Sequence, residues 1–388
     1  MKILLLCLLL LSLLVSPLAA QPEFRGAWVA TVFNLDWPSK AGLSEAEQKA
    51  QLRDILDRAQ QLKLNAILLQ VRSMSDACYA SKREPWSAFL TGKQGVDPGY
   101  DPLAYAITEA HARGIELHAW FNPFRAGTKG GSSYAANHVT RTHPEWIRPY
   151  GSQLWLDPGD PNARRYVLDV ILDVVKRYDI DGVHIDDYFY PYPVKGAEFP
   201  DDVTWQKYGV ASGKSRADWR RDNINRFVEA MYHEVKAAKP SVRVGISPFG
   251  IWRPKVPATI EAQLDAYAQL YADARYWLSE GWCDYLAPQL YWGIHPDKQS
   301  FPVLLKWWRE QSTAGRPVWP GIATERTGKP YDVGEIARQI ELTRQNLPAN
   351  GEPGNIQWSM KALMHNQGGV AEVLKREVYG EKAELPHR

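Results

Sequence analysis

Two adjacent carboxylates, Asp186 and Asp187, carry the strongest chemical signal in this sequence. They close the run Asp181-Gly182-Val183-His184-Ile185 and are followed at once by Tyr188-Phe189-Tyr190-Pro191-Tyr192-Pro193. Like charges this close raise the pKa of at least one partner, so one acid stays protonated near neutral pH. Cleavage of a glycosidic bond needs that combination. A protonated acid serves the leaving oxygen, and an ionised carboxylate or a group of the substrate stabilises the oxocarbenium-like transition state. The aromatic run supplies flat apolar faces on which sugar rings stack. Asp181, at the start of the run, reads as a structural residue.

Similar polar positions recur elsewhere. Alternate residues share one face of a strand, which links Gln70 with Arg72, His118 with Trp120 and Asn122, His184 with Asp186, Gly245 with Ser247, and Gln289 with Tyr291. Their neighbours Leu69, Val71, Leu117, Val183, Ile185, Ile246 and Leu290 are aliphatic. The aliphatic set suits packing under helices, and the polar set then points into a shared pocket. The expected sugar-binding residues are Gln70, Arg72, His118, Trp120, Asn122, Arg125, His184, Tyr188, Tyr190, Gln289 and Tyr291, with Trp28, Trp37, Trp252 and Trp292 at or beyond strand ends. Other chemistries are poorly supplied. The first strand has no His-x-His pair for a metal, and no Gly-x-Ser-x-Gly elbow is present. No cofactor or metal is expected.

The elements that must position these residues follow a regular alternation. β-Rich runs at Arg25–Val32, Ala66–Arg72, Ile115–Phe121, Gly182–Asp186, Arg243–Ser247, Tyr285–Leu290, Val318–Ile322 and Asn355–Ser359 alternate with helical patterns. The helices are expected at Ser44–Leu62, Pro102–Arg113, Asn162–Arg177, Ser215–Ala238, Ala262–Ser279, Pro302–Gln311, Val333–Gln345 and Val370–Val378. Ser44 with Glu47 forms a capping box, and Asp101-Pro102 opens a helix. Eight such units predict an α/β fold of the (β/α)8 TIM-barrel type with long βα loops. Two smaller doubly wound domains fit less well, because neither a central linker nor a phosphate-binding glycine motif is present. The longest connections, 73–100, 123–160, 187–214 and 248–261, follow strands, on the face where barrels place their active sites.

Composition bounds the partners. The 388 residues carry 46 Lys plus Arg against 44 Asp plus Glu, a balance that lacks the basic stripe a nucleic-acid partner needs. Residues 1–20, with Lys2, the apolar run to Val15 and the small end at Ala19-Ala20, read as a signal peptide. Residues 21–388 read as one barrel domain without a transmembrane segment, placed in the periplasm or outside the cell. Cys7 lies near the start of the apolar run, out of place for a lipid anchor. Cys78 and Cys283 fall at opposite barrel ends and are expected to stay free. The 16 tryptophans divide into a mouth share and a helical share, Trp219, Trp277, Trp307 and Trp308, expected to pack.

Several of these segments also carry a resemblance. Phe24–Val32 with Asn34 and Trp37-Pro38-Ser39, Gln70-Val71-Arg72, Asp76-Ala77 with Tyr79, Glu84-Pro85-Trp86-Ser87, His118–Pro123, Asp181–Pro191, Gly245–Arg253 and Ala287–Trp292 are similar, in order, to the glycosyl-hydrolase-like-10 family of secreted bacterial proteins. The resemblance implies a TIM barrel and a glycoside hydrolase, with bacterial cell-wall glycan, above all peptidoglycan, as a substrate class. Two mechanisms fit the acid pair. In one, Asp186 is a nucleophile and Glu325 or Glu84 is the acid. In the other, favoured here, the substrate's acetamide attacks, Asp186 orients it and Asp187 protonates the leaving oxygen. The competing functions are a non-catalytic carbohydrate-binding barrel and a metal-dependent polysaccharide deacetylase. Protein partners are not legible in the sequence.

Overall fold

The computed structural model describes residues 22–130, 133–295, 297–345, 347 and 351–387; the expected signal peptide lies outside them. Eight parallel strands form the central sheet: β1 (Phe24–Val29), β2 (Ala66–Arg72), β3 (Glu116–Phe121), β4 (Gly182–Ile185), β5 (Arg243–Ile246), β6 (Tyr285–Leu286), β7 (Gly321–Ile322) and β8 (Gly354–Gln357). Their spatial order is β7-β8-β1-β2-β3-β4-β5-β6. The sheet curls until its edges meet through single bridges, Leu286 with Val318 and Gln289 with Gly321, and the ring closes into a barrel. Strands β6 and β7 are shorter than their apolar runs. Pro288, Pro317 and Pro320 have no N–H to give the ladder, so pairing there reduces to isolated bonds.

The helices α1 (Glu45–Gln61), α2 (Pro102–His111), α3 (Pro161–Arg177) and α4 (Arg216–Ala238) follow the first, second, third and fourth strands as expected. Ser44 and Glu47 complete their capping box, and Asp101 caps α2 through the Ala104 N–H. The stretch expected as one helix over 262–279 is instead two, Ala266–Gln269 and Ala274–Glu280, because Asp265 and Asp273 each cap a separate start. The long connection after the third strand folds into a three-stranded antiparallel sheet of Arg125–Thr128, Gln153–Leu156 and Ile147–Tyr150. These strands are four residues each, too short for alternation to register, and Pro149 interrupts one of them.

Two apolar layers result. The aliphatic strand residues, Leu69, Val71, Leu117, Val183, Ile185, Ile246 and Leu290, join the large core between sheet and helices. The barrel interior holds a second, aromatic cluster that includes Phe24, Trp28, Trp120, Tyr285 and Trp319. Rings this large fit inside because glycines face them. A Cβ on Gly245 would lie 2.0 Å from the Tyr285 ring, and one on Gly182 would lie 2.6 Å from that of His118. The C-terminal tail closes the bottom of the barrel. Leu385 packs on the interior cluster, and Arg25 and Arg243 donate to the carbonyls of Glu381 and Pro386. Cys78 and Cys283 are buried and unbridged. No helix among the described residues is long and apolar enough to cross a membrane.

Candidate active site

Strand β4 delivers Asp186 and Asp187 to the C-terminal rim, where both side chains are almost fully buried. Their partners differ. Asp186 Oδ2 accepts the Trp120 indole N–H at 3.0 Å and the Asn122 amide N–H at 3.1 Å, while Oδ1 accepts the Tyr188 backbone N–H at 3.3 Å. Asp187 Oδ2 accepts the Tyr192 hydroxyl, and the Gln289 amide reaches the same carboxyl. Burial, reinforced by the charge of Asp187, pushes Asp186 up to about 7, against the pull of Arg125 and the Trp120 N–H. Burial raises Asp187 too, opposed by its bonds to Tyr192 and Gln289. The two acids therefore hold a proton at pH values where an ordinary carboxylate has lost it.

The pair opens on a cleft of about 170 Å³ walled by Trp28, Trp120, Tyr188, Tyr291 and Trp358, with Ser247 and Gln289 at its polar side. Trp358 meets Trp28 and Trp120 edge-on at 6.0 and 6.1 Å and lies near-parallel to Tyr291 at 6.3 Å. Buried Ser247 Oγ has no hydrogen-bond partner among the described residues and faces the cleft, where it can bond a ligand. A larger cavity of about 420 Å³ lies at the opposite barrel end beside Arg243, Arg309 and Arg316. Of its two carboxylates, Asp284 is paired with Lys236 and Glu352 accepts the His387 N–H, and they form no adjacent acid pair of the Asp186–Asp187 kind.

A buried relay supports this floor. The Trp28 indole N–H meets His184 Nε2 at 3.1 Å. An indole can only donate, and burial drives His184 well below its ordinary pKa. His184 is therefore neutral, accepts at Nε2 and donates from Nδ1 to the Tyr285 oxygen at 3.0 Å. Tyr285 in turn donates to His118 Nδ1 at 2.8 Å, which leaves His118 Nε2–H facing Glu116 Oε2 at 3.1 Å. Every tautomer along the barrel axis follows from the one donor at the mouth.

The other expected site residues divide. Trp28, Trp120, Asn122, Tyr188, Gln289 and Tyr291 reach the cleft or the pair, and Arg125 lies over the Tyr188 ring at 4.4 Å. His118 and His184 serve behind the wall. Gln70 is buried and its Oε1 accepts the N–H groups of Thr31 and Val32, so it braces the β1 end. Arg72 and Glu84 are fully buried and bonded to each other through two N–H···O contacts of 2.8 and 2.7 Å. A register shift in β2 between Gln70 and Arg72 breaks the alternation that grouped them. Neither comes to the cleft. Trp37 is buried in the core and donates to the Gln48 carbonyl. Tyr190 packs on Phe199 and Tyr271, Trp252 on Trp307, and Trp292 on Phe249; all three lie outside the cleft lining. Glu325 lies at the rim, bonded to Trp358, and the partial desolvation of its carboxyl there raises its pKa. Asp181 is structural, bonded to His111 and to the Leu117 N–H.

Sequence reasoning missed Tyr192, Tyr285 and Trp358 as site residues. Trp358 shares the inward parity of Gly354 and Ile356 on β8, and extending the alternation to that strand identifies it. Tyr192 lies in the aromatic run after Asp187.

A parallel-stranded barrel with two buried acids and an aromatic cleft at its C-terminal rim defines an α/β barrel of the glycoside-hydrolase type. Comparison with known proteins narrows this: residues 23–335 match the family Glycosyl hydrolase-like 10, and the chain belongs to it. It is 42% identical over 377 residues to the glycosyl hydrolase YngK of Bacillus subtilis, covering 94% of this chain and 73% of that one. It is 38% identical over 355 residues to the glycosyl hydrolase DigH of Escherichia coli, covering 84% and 80%. Among solved structures, the glycoside hydrolase domain of PgaB (BpsB) from Bordetella bronchiseptica superposes with a TM-score of 0.57 at 16% identity, over 92% of this chain and 98% of that one. The α-L-fucosidase isoenzyme 2 of Paenibacillus thiaminolyticus gives 0.55 at 14% identity, over 92% and 50%. These likenesses share the barrel.

Proposed function

We propose that this protein is a glycoside hydrolase that cleaves the glycan strands of an envelope polysaccharide, peptidoglycan first among them, after export and removal of residues 1–20. The observation that carries this reading is the buried Asp186–Asp187 pair at the floor of an aromatic cleft. The substrate's acetamide oxygen attacks the anomeric carbon as the bond to the leaving oxygen breaks. Asp187 gives its proton to that oxygen, and Asp186 accepts the acetamide N–H. Each acid accepts two side-chain donors, and without substrate Asp186 is pushed up to about 7. Positive charge developing beside Asp186 in the complex favours its anion and leaves the proton on Asp187. Water then attacks the cyclised intermediate, returning a proton to Asp187. Trp28, Trp120, Tyr291 and Trp358 form a ring of apolar faces suited to the sugar and to the acetamide methyl group.

Digestion of peptide-free glycan strands, followed by mass spectrometry of the products, tests this function. The native protein is expected to shorten the strands, and Asp186→Asn and Asp187→Asn to leave them long. Intact strands that still bind the native protein would instead favour a carbohydrate-binding barrel.

A further inference from the structure

A second pocket of about 170 Å³ opens among the β1, β2 and β3 loops, lined by Phe33, Phe89, Asp76, Gln94, Thr128 and Tyr134 among others. Phe33 is 67% exposed, unusual for a phenylalanine, and its backbone stands at φ 54°, ψ 22°. Asn34 follows at φ 54°. Two consecutive non-glycine residues in the left-handed region cost energy, and such strain persists only where surrounding structure holds it. Here the Asn34 amide holds it, donating to the carbonyls of Pro38 at 2.9 Å and Phe89 at 2.8 Å. The clamp sets Phe33 edge-to-face with Phe89, centroids 5.7 Å apart. The core takes nothing from this arrangement. It presents an aromatic face to solvent beside a pocket.

The polar lining narrows the ligand. Asp76 is 3% exposed and fixed by the Met74 N–H at 3.1 Å, a carboxylate that can accept from hydroxyl groups. Gln94 Oε1 is occupied by the Ala135 N–H, which leaves its NH₂ group to donate. Tyr134 is pinned to Thr128 by bonds to both its N–H and its carbonyl. An aromatic face with a buried carboxylate and an amide beside it suits a polyhydroxylated ring and disfavours a lipid chain, which would strand the carboxylate.

The pocket is joined to the catalytic cleft by one strand. Arg125, stacked on Tyr188 at the cleft wall, begins Arg125–Thr128, and Thr128 lines the second pocket. Three residues of extended chain span about 10 Å, a distance an oligosaccharide crosses within a few rings. Ser75, next to Asp76, donates to the Arg125 carbonyl and accepts from Arg72, so the two sites are braced against each other.

We infer that the Phe33–Phe89 corner is a second sugar-binding site, which holds a distal ring of the glycan strand whose bond lies over Asp186 and Asp187. This rests on the glycosidase reading above. It makes the protein selective for chains long enough to reach both pockets.

The test compares KM for long peptide-free strands with KM for the shortest oligosaccharide cleaved, in the native protein, Phe33→Ala and Phe33→Trp. Loss of one stacked ring is expected to raise KM for long strands roughly two- to tenfold more than KM for the short one in Phe33→Ala. Phe33→Trp should retain the preference for length. Gln94→Ala, with the aromatic pair intact, is expected to move the same ratio in the same direction. An unchanged ratio in both Phe33→Ala and Gln94→Ala would overturn the distal site while leaving the catalytic reading standing. Failure of the native protein to cleave strands of any length would overturn both.

Discussion

The indole N–H of Trp120 ends on Oδ2 of Asp186, 3.0 Å away, and fixes one carboxyl of the pair from the neighbouring strand. The bond orients Asp186 and favours its anion, while burial and Asp187 act in the opposite sense. The opposition leaves Asp186 pushed up to about 7.

One consequence is a pH dependence of rate. With Asp186 pushed up to about 7, the pair loses its proton above that pH, and turnover should fall on the alkaline side. A profile of kcat/KM on glycan strands checks this. Removing the indole donor in Trp120→Phe withdraws support for the anion and should move the alkaline limb upward.

The same shift is a statement about stability. The folded value lies above the ordinary carboxylate value of 3.8, so the folded state binds more protons than the unfolded chain between those pH values. Stability is then fullest at the acid end of that window and declines as pH rises through about 7, by on the order of a few kcal/mol. Asp186→Asn should flatten this decline. Denaturant unfolding of both proteins across the window measures it.

Glu84 and Arg72 provide a contrast. Removing one partner of a fully buried ion pair strands the other charge, at a cost of about 3–5 kcal/mol. Glu84→Gln should therefore lower the unfolding midpoint sharply while the folded fraction keeps the native pH profile. A lost alkaline limb in stably folded Glu84→Gln would mean that Glu84 is the acid.

The relay behind the cleft makes a separate prediction. Tyr285→Phe removes the hydroxyl that accepts from His184 and donates to His118, leaving two buried ring nitrogens unpartnered. The expected loss is about 1–3 kcal/mol of stability. The Trp28 indole fluorescence should also change, because its His184 acceptor loses the partner that sets its tautomer.

How much of this was legible in the sequence depends on the range of each interaction. The alternation of Gln70, His118, Trp120, His184 and Gly245 with aliphatic neighbours needs only the period of a strand, and it gave the barrel's inner face correctly. Asp186 and Asp187 stood out because they are adjacent. Glu84 did not reveal its role, since its partner Arg72 is defined by a β2 register shift and a loop fold that no spacing encodes. Trp37 follows a strand as Trp28 lies within one, yet it turns under the loop and donates to Gln48 in the core. The Trp28–His184–Tyr285–His118 chain draws on four strands, and only closure of the barrel brings them together. The proposed substrate class rests on the resemblance, because periodicity carries no information about the ligand.

The division of labour between the two acids is tested most directly by changing the leaving group. Asp187→Asn and Asp186→Asn would be assayed on glycan strands and on an aryl glycoside of an N-acetylated oligosaccharide, whose phenolate departs without a proton. On glycan strands both variants should lose roughly 10²–10⁴-fold in kcat. On the aryl substrate Asp187→Asn should recover most of its rate and Asp186→Asn should not. Equal losses on both substrates by Asp187→Asn, or near-native cleavage of glycan strands by either variant, would contradict the assignment.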